Sequence, residues 1–326
     1  MSKTLFEQIS SVENIFAAWA RFSDGKRSKA DVMAFESHLE DNLFSLRDSL
    51  LSGKYRHDLY KPFTIYDSKQ RLIHKATVKD RVVHQAIVNV IESFFERRFI
   101  HDSYSCRVGK GTHAAVERLR VFLRQASRNN TRTVYALKCD VRKFFASVNH
   151  DALLSLLARQ INDPKTMELL ENIIGSYSIG SCRGIPLGNL TSQLFANIYL
   201  HELDRHVKNF LHQKYYLRYC DDFIILSESR EYLVGVTKNV DDFLNQTLSL
   251  RLHPKKVFIR TWMQGIDFVG YVLFPHATVV RINTAGRMLR RANEDNIHSY
   301  LGVCSHADAF ELEQIIRTTS VNLDFF

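Results

Sequence analysis

The stretch 215–226, YYLRYCDDFIIL, decides how this chain reads. It predicts two β runs around a polar pair, a hairpin whose tip carries Asp221 and Asp222. Adjacent carboxylates beside an apolar core repel each other and are costly to desolvate. A divalent cation would relieve both costs. Asp-Asp is also an ordinary turn dipeptide, with side chains that bond the local backbone, and on the dipeptide alone the ordinary turn is the better reading. The flanks argue the other way: an aromatic, Tyr219, stands just before the pair and a continuous β run follows it.

Working outward, TVYALKCDV (133–141) alternates like a strand and ends at Asp140, followed by Val141 and the pair Phe144-Phe145. Three carboxylates from two strand ends can hold two Mg²⁺ ions ~4 Å apart, the arrangement that serves phosphoryl transfer. Oxygen-only ligands favour Mg²⁺ or Mn²⁺ over zinc. GIPLGNLTSQ (184–193) is a Gly/Pro loop feeding a long helix over about 190–212. KVFIRTW (256–262) and IDFVGYVLF (266–274) are further strand candidates, and Asn149 is placed to cap a helix. Residues 77–100 read as a helix, Gly109 and Gly111 as a loop feeding another, and 55–75 as strands and loops. Residues 1–52 read as helical, broken at Asp24-Gly25 into two parts, and 284–318 return to helices.

Composition sets the outer bounds. Among 326 residues, 45% are hydrophobic and 22 are Phe and 13 Tyr, which excludes disorder along the whole length. Residues 51–150 hold 20 basic and 8 acidic residues, and the remainder hold 24 and 27. A basic segment on a near-neutral body points to a polyanion such as nucleic acid, with a solubility charge as the competing reading. Five widely spaced cysteines form no CxxC pair, which argues against a zinc ribbon or disulfide framework and fits a reducing cytoplasm. The N-terminal MSKTLFEQISSVENIF carries acids and no continuous apolar core, so no signal peptide is expected. No run approaches a membrane span, so no membrane partner is expected.

Tyr219-Cys220-Asp221-Asp222 resembles the YxDD box of reverse transcriptases, and other motifs agree in order. KDRVVHQAI (79–87) and SCRVGKGTHAAV (105–116) resemble finger motifs of the bacterial enzymes. LKCDVRKFFASVNH (137–150) resembles the first palm carboxylate motif, and GIPLGNLTSQLFANIYLHELD (184–204) the template-and-nucleotide motif. LHPKK (252–256) matches the motif after YxDD, and IDFVGY (266–271) resembles the primer-grip hairpin. The match runs over roughly residues 55–275.

The resemblance implies an α+β right-hand polymerase fold. It would have an N-terminal helical extension (1–52), fingers mainly from 53–135, and a palm with an antiparallel sheet and primer grip mainly from 136–275. A short helical thumb would follow from 276–326, with Arg287, Arg290 and Arg291 available to a duplex. It implies an RNA-directed DNA polymerase using two Mg²⁺ ions, with Mn²⁺ as a substitute. Asp140 and Asp221 would be metal ligands, with Asp222 beside them and the Val141 carbonyl assisting. Phe145 would exclude a 2′-hydroxyl and so select dNTPs, while Phe144 belongs to the core. Arg71 and Arg81 match triphosphate-binding positions, with Lys75 and Lys79 weaker candidates that could equally be solvated charges. Lys255 or Lys256 could protonate the leaving pyrophosphate. Gly188 would allow backbone close to the incoming base pair, and Phe268 and Gly270 would shape the primer grip.

Leu187 and Gln193 stand where many bacterial and intron enzymes carry Gln and Pro. LGNLTSQ resembles the reverse transcriptases of diversity-generating retroelements, which make mutagenic cDNA from a template repeat with a small basic accessory protein. YCDD leans towards the antiphage defence-associated type 2 enzymes, which copy a structured noncoding RNA into cDNA. About 50 residues after the primer grip predict a short thumb rather than the added domains of an intron maturase. A non-catalytic RNA-binding protein on the same fold and a metal nuclease are the other classes, and labelled dNTP incorporation separates them from a polymerase. The position of the N-terminal helices suggests a grip on a cognate RNA.

Overall fold

The largely apolar runs in 134–140 and 222–226 fit strands buried on both faces, and the two strands lie side by side at the centre of the molecule. The computed structural model describes residues 3–66 and 70–321. Four helices open the chain: α1 (Leu5–Ile9), α2 (Val12–Ser23), α3 (Ala30–Glu36) and α4 (Leu39–Leu51). The expectation of two helical parts is corrected to four. Thr4 and Ser11 each accept a backbone N–H as N-caps, so a new helix starts at each. A hairpin, β1 (Lys61–Tyr66) and β2 (Gln70–Lys75), precedes α5 (Val78–Glu96) and α6 (Thr112–Ala126).

Next come β3 (Tyr135–Asp140), the short α7 (Phe144–Ser147), α8 (His150–Ala158), α9 (Pro164–Gly175) and α10 (Leu190–Arg205), which ends in a π-helical turn over His206–Phe210. Asn149 accepts from the Ala152 N–H as the expected cap of α8. The expected hairpin follows as β4 (Tyr216–Tyr219) and β5 (Asp222–Ser227), then α11 (Arg230–Leu248) and β6 (Phe258–Thr261). A second small sheet is built from β7 (Ile266–Phe268), β8 (Tyr271–Leu273) and β9 (Thr278–Val280). Helices α12 (Ile282–Arg291), α13 (Ile297–Cys304) and α14 (Phe310–Val321) close the chain.

The central sheet is antiparallel in the order β4-β5-β3-β6. Leu137, Cys139, Tyr216, Phe223 and Ile225 point into a large core shared with α1–α5 and α8–α11. Ala136, Leu217, Ile224 and Leu226 point the other way, into a second core with α6, the β7–β9 sheet and the closing helices. Period-2 geometry puts Lys138, Asp140 and Asp222 on that second face. Helix α6, expected among the fingers, packs against β4 and β5, and β9 carries the small sheet past residue 275.

One buried ion pair fixes the hairpin. Arg218 in β4 is fully buried and donates from Nε and Nη2 to the two carboxylate oxygens of Asp204 in α10, each at 2.7 Å. Tyr216 adds a hydroxyl bond to the same carboxylate at 2.6 Å. Arg218 Nη1 also donates to the Cys220 carbonyl at 3.0 Å. Cys220 sits at φ +54°, a left-handed conformation that a non-glycine residue holds only under such constraint.

Removing one partner of a buried pair leaves an uncompensated charge, so Arg218→Ala should cost about 3–5 kcal/mol. Urea unfolding should give a much lower midpoint for it, and replacing both residues by apolar ones (Arg218→Met with Asp204→Leu) should recover part of the loss.

Candidate active site

Asp140 ends β3 and Asp222 begins β5, and the two are direct cross-strand partners. Asp221 occupies the turn between β4 and β5, where its carbonyl accepts from the Val141 N–H at 3.1 Å. The segment before β6 closes the site on the other side: the His253 N–H donates to the Asp140 carbonyl at 2.7 Å, and Leu252 bridges Val141. Three carboxylates from two strand ends are thus brought to one edge of the sheet.

Their electrostatics are unfavourable without a cation. Burial first, and the nearby Asp140 charge second, push the Asp221 carboxyl above the usual range. Burial pushes Asp222 up to about 7, with the Asp140 and Asp221 charges adding to the rise and Lys138 opposing it. Asp222 Oδ1 is buried without a hydrogen-bond partner.

Two lysines take the place of counter-ions. Lys256 Nζ sits 2.6 Å from Asp140 Oδ2. Lys138 Nζ, almost buried in β3, lies 3.1 Å from Asp222 Oδ2 and donates to the Asp267 carbonyl at 2.9 Å. Arg281 in turn pairs with the Asp267 carboxylate. Asp222 is therefore tied through Lys138 to the β7–β8 hairpin and to the start of α12. Among the described residues no three histidine, cysteine or carboxylate side chains are drawn together at metal-binding spacing. The donor set still fits a hard divalent ion: the three carboxylates offer oxygen ligands, and Asp222 Oδ1 is buried without a hydrogen-bond partner.

The other expected residues fall into three groups. Lys256 reaches the carboxylates, while Lys255 is exposed, its N–H bonded to His253 Nδ1. Phe144 is buried and Phe145 half-buried at its edge, with ring centroids 5.3 Å apart, so the assignment of Phe144 to the core holds. Lys75 and Arg81 converge on one carboxylate, Asp31, whereas Arg71 is exposed in β2 opposite Ile65.

A Cβ on Gly188 would lie 2.9 Å from Ile73 Cγ2, and φ there is +99°. The close approach this glycine permits is to the β1–β2 hairpin, whose His74 carbonyl accepts from Asn189 Nδ2 at 3.0 Å. Phe268 is fully buried in the second core, where its ring supports the β7–β8 turn from beneath. Gly270, at φ +98°, shapes the turn itself. Sequence reasoning missed Lys138, Asp267, Asp31 and the Arg218–Asp204 pair. Only Lys138 and Arg218 left a trace, as charges inside otherwise apolar β runs.

Residues 61–273 match the family model of reverse transcriptase (RNA-dependent DNA polymerase). The chain belongs to that family. Protein YkfC of Escherichia coli strain K12 is 26% identical to this reverse transcriptase over 284 residues, 73% of this chain and 72% of that protein. The group II intron-encoded protein LtrA of Lactococcus lactis subsp. cremoris is 22% identical over 303 residues, covering 71% of this chain and 49% of LtrA. An apo telomerase structure from Candida tropicalis aligns with TM-score 0.51 at 12% identity, over 73% of this chain and 52% of that one. The last likeness concerns the fold alone. The chain spans only about half the length of LtrA and of the telomerase. No helix among the described residues is long and apolar enough to cross a membrane.

Asp221 provides a test of the crowding. Its folded carboxyl ionises at higher pH than its unfolded one, so the folded state loses stability as pH rises through that window. Asp221→Asn should raise the melting temperature of the metal-free protein by about 2–4 °C at pH 8 and by less at pH 5. Mg²⁺ should stabilise the parent protein and not the variant in the same calorimetric scans; a shift equal at both pH values would contradict the crowding.

Proposed function

We propose that this reverse transcriptase copies a cognate structured noncoding RNA into cDNA, working in the cytoplasm in defence against phage. The observation that carries the polymerase part is the strand-end placement of Asp140 opposite Asp222, with Asp221 in the adjoining turn. Asp140, Asp221 and the Val141 carbonyl would hold Mg²⁺. When bound, the ions supply activation of the primer 3′-hydroxyl and stabilisation of the leaving pyrophosphate. Asp222 acts as a positioning residue through Lys138.

Lys256 is the general acid in this reading. It is the lysine of the pair that stands at the carboxylates, and with Asp140 engaged by a metal ion its ammonium would be free for the pyrophosphate oxygen. Phe145 lies against the sugar of the incoming dNTP, its ring half-exposed beside the buried Phe144. Lys75 and Arg81 grip the triphosphate, Arg81 with its planar fork. Arg71 joins them from the hairpin. Gly270 and the turn around it form the primer grip, and α12–α14 the thumb.

The defence assignment rests on the YCDD tetrad. A second reading has its own observation: LGNLTSQ resembles the diversity-generating enzymes. Leu187 stands half-buried where a glutamine would offer a polar contact near the template base, which favours low fidelity. That reading brings a small accessory protein as partner.

Lys256→Ala should lower kcat about a hundredfold, against about twofold or less for Lys255→Ala, in single-turnover extension. Phe145→Ala should increase ribonucleotide incorporation, and unchanged sugar discrimination would remove Phe145 from the gate. Sequencing the RNA and cDNA that accumulate with and without phage separates the two biological readings. Copies of one neighbouring noncoding RNA that rise on infection support defence, and repeat copies with clustered substitutions support diversification.

A further inference from the structure

The N-terminal helices do more than cover the fingers. Val32 in α3 is fully buried, which seats that helix on the core and fixes its neighbour Asp31. Asp31 Oδ2 accepts from Lys75 Nζ at 2.8 Å and from Arg81 Nη2 at 2.5 Å. Arg81 is held a second time by the same N-terminal layer, its guanidinium lying 4.7 Å over the ring of Phe22 in α2. Beside these contacts is a cavity of about 440 Å³, walled by Phe22, Lys26, Phe63, Lys75, Arg81 and Gln193 among others. That volume is in the range of small-molecule sites. Gly188 and Asn189, from the loop feeding α10, complete the wall.

The charges in this place are unbalanced. Three cations, Lys26, Lys75 and Arg81, line the cavity, and no carboxylate does among the described residues. Asp31 answers two of the cations from the edge, and it does so with a single oxygen atom. Its side chain and that of Lys75 are both partly exposed. An exposed pair of this kind is weak and exchanges readily. A triphosphate brings several negative charges and many acceptor oxygens, and it can engage the Arg81 fork with two of them.

We propose that Asp31 is the resident counter-ion of the nucleotide-binding cations, occupying Lys75 and Arg81 in the nucleotide-free enzyme and giving way to the dNTP triphosphate. This rests on the assignment of Lys75 and Arg81 to the triphosphate. Asp31 then acts as a competitor built into the chain: it holds the two cations together and ordered, and it sets how strongly they hold nucleotide. Since it stands on α3, any partner that shifts the N-terminal helices changes dNTP affinity without touching the carboxylates of the palm.

The test is the dNTP dependence of primer extension by the full chain, with Asp31→Asn, Asp31→Glu and Arg81→Ala beside the parent. Asp31→Asn should lower KM for dNTP about three- to tenfold, given what one or two partly exposed ion pairs contribute, with kcat within about twofold. Asp31→Glu, which restores the charge, should return KM towards the parent value, and the difference between Asp31→Asn and parent should shrink at high salt. Arg81→Ala should raise KM. A raised or unchanged KM for Asp31→Asn, alongside a raised KM for Arg81→Ala, would overturn the counter-ion role while leaving the triphosphate assignment intact. An unchanged KM for Arg81→Ala would overturn the assignment and the counter-ion role with it.

Discussion

Three carboxylates meet at the ends of two adjacent strands, and everything near them is arranged to make that tolerable. Asp140 and Asp222 face each other across β3 and β5, and Asp221 is one residue away. Mutual repulsion and partial burial oppose this arrangement. It is held from outside: the buried Arg218–Asp204 pair anchors β4 to α10 and ties down the Cys220 carbonyl, so the turn cannot open to separate the charges. Lys256 and Lys138 then answer two of the carboxylates directly. The ionic chain from Asp222 through Lys138 and Asp267 to Arg281 links the chemistry to the hairpin and helices that follow it.

Local pattern made much of this legible. The hairpin at 215–226, the strand ending at Asp140 and the loop feeding α10 follow from alternation and from Gly/Pro punctuation, which depend on neighbours in sequence. Asn149 as a cap is equally local. What stayed hidden depends on pairs far apart in the chain. Nothing near Asp31 announces Lys75 or Arg81, and nothing near Lys138 announces Asp267. Phe268 was read as shaping the turn of its motif, and period-2 geometry turns its ring into the core beneath that turn. Gly188 was read as allowing backbone close to a base pair, and its lack of a side chain also makes room for Ile73, which no local pattern announces.

The charge count illustrates the same limit. The basic excess in 51–150 reads as a surface for phosphates, but several of its members are engaged internally. Arg107 forms a bond to Glu96 at 2.6 Å, Arg118 to Asp102 at 2.8 Å and Lys79 to Asp58 at 2.9 Å, and Lys75 and Arg81 share Asp31. Two of these acids, Asp58 and Asp102, are held below the usual carboxylate range with help from those partners. Part of the positive charge therefore serves internal ion pairs, and the part left free for a polyanion is smaller than composition implies.

The central claim is that this edge of the sheet performs template-directed nucleotidyl transfer. The most direct measurement is extension of a labelled DNA primer on an RNA template of defined sequence, with dNTPs and Mg²⁺, by the parent protein and by Asp140→Asn. The account predicts template-complementary DNA from the parent and none from the variant, with RNA binding retained by both. RNA binding by the parent with no incorporation, or incorporation that survives in Asp140→Asn, would contradict it.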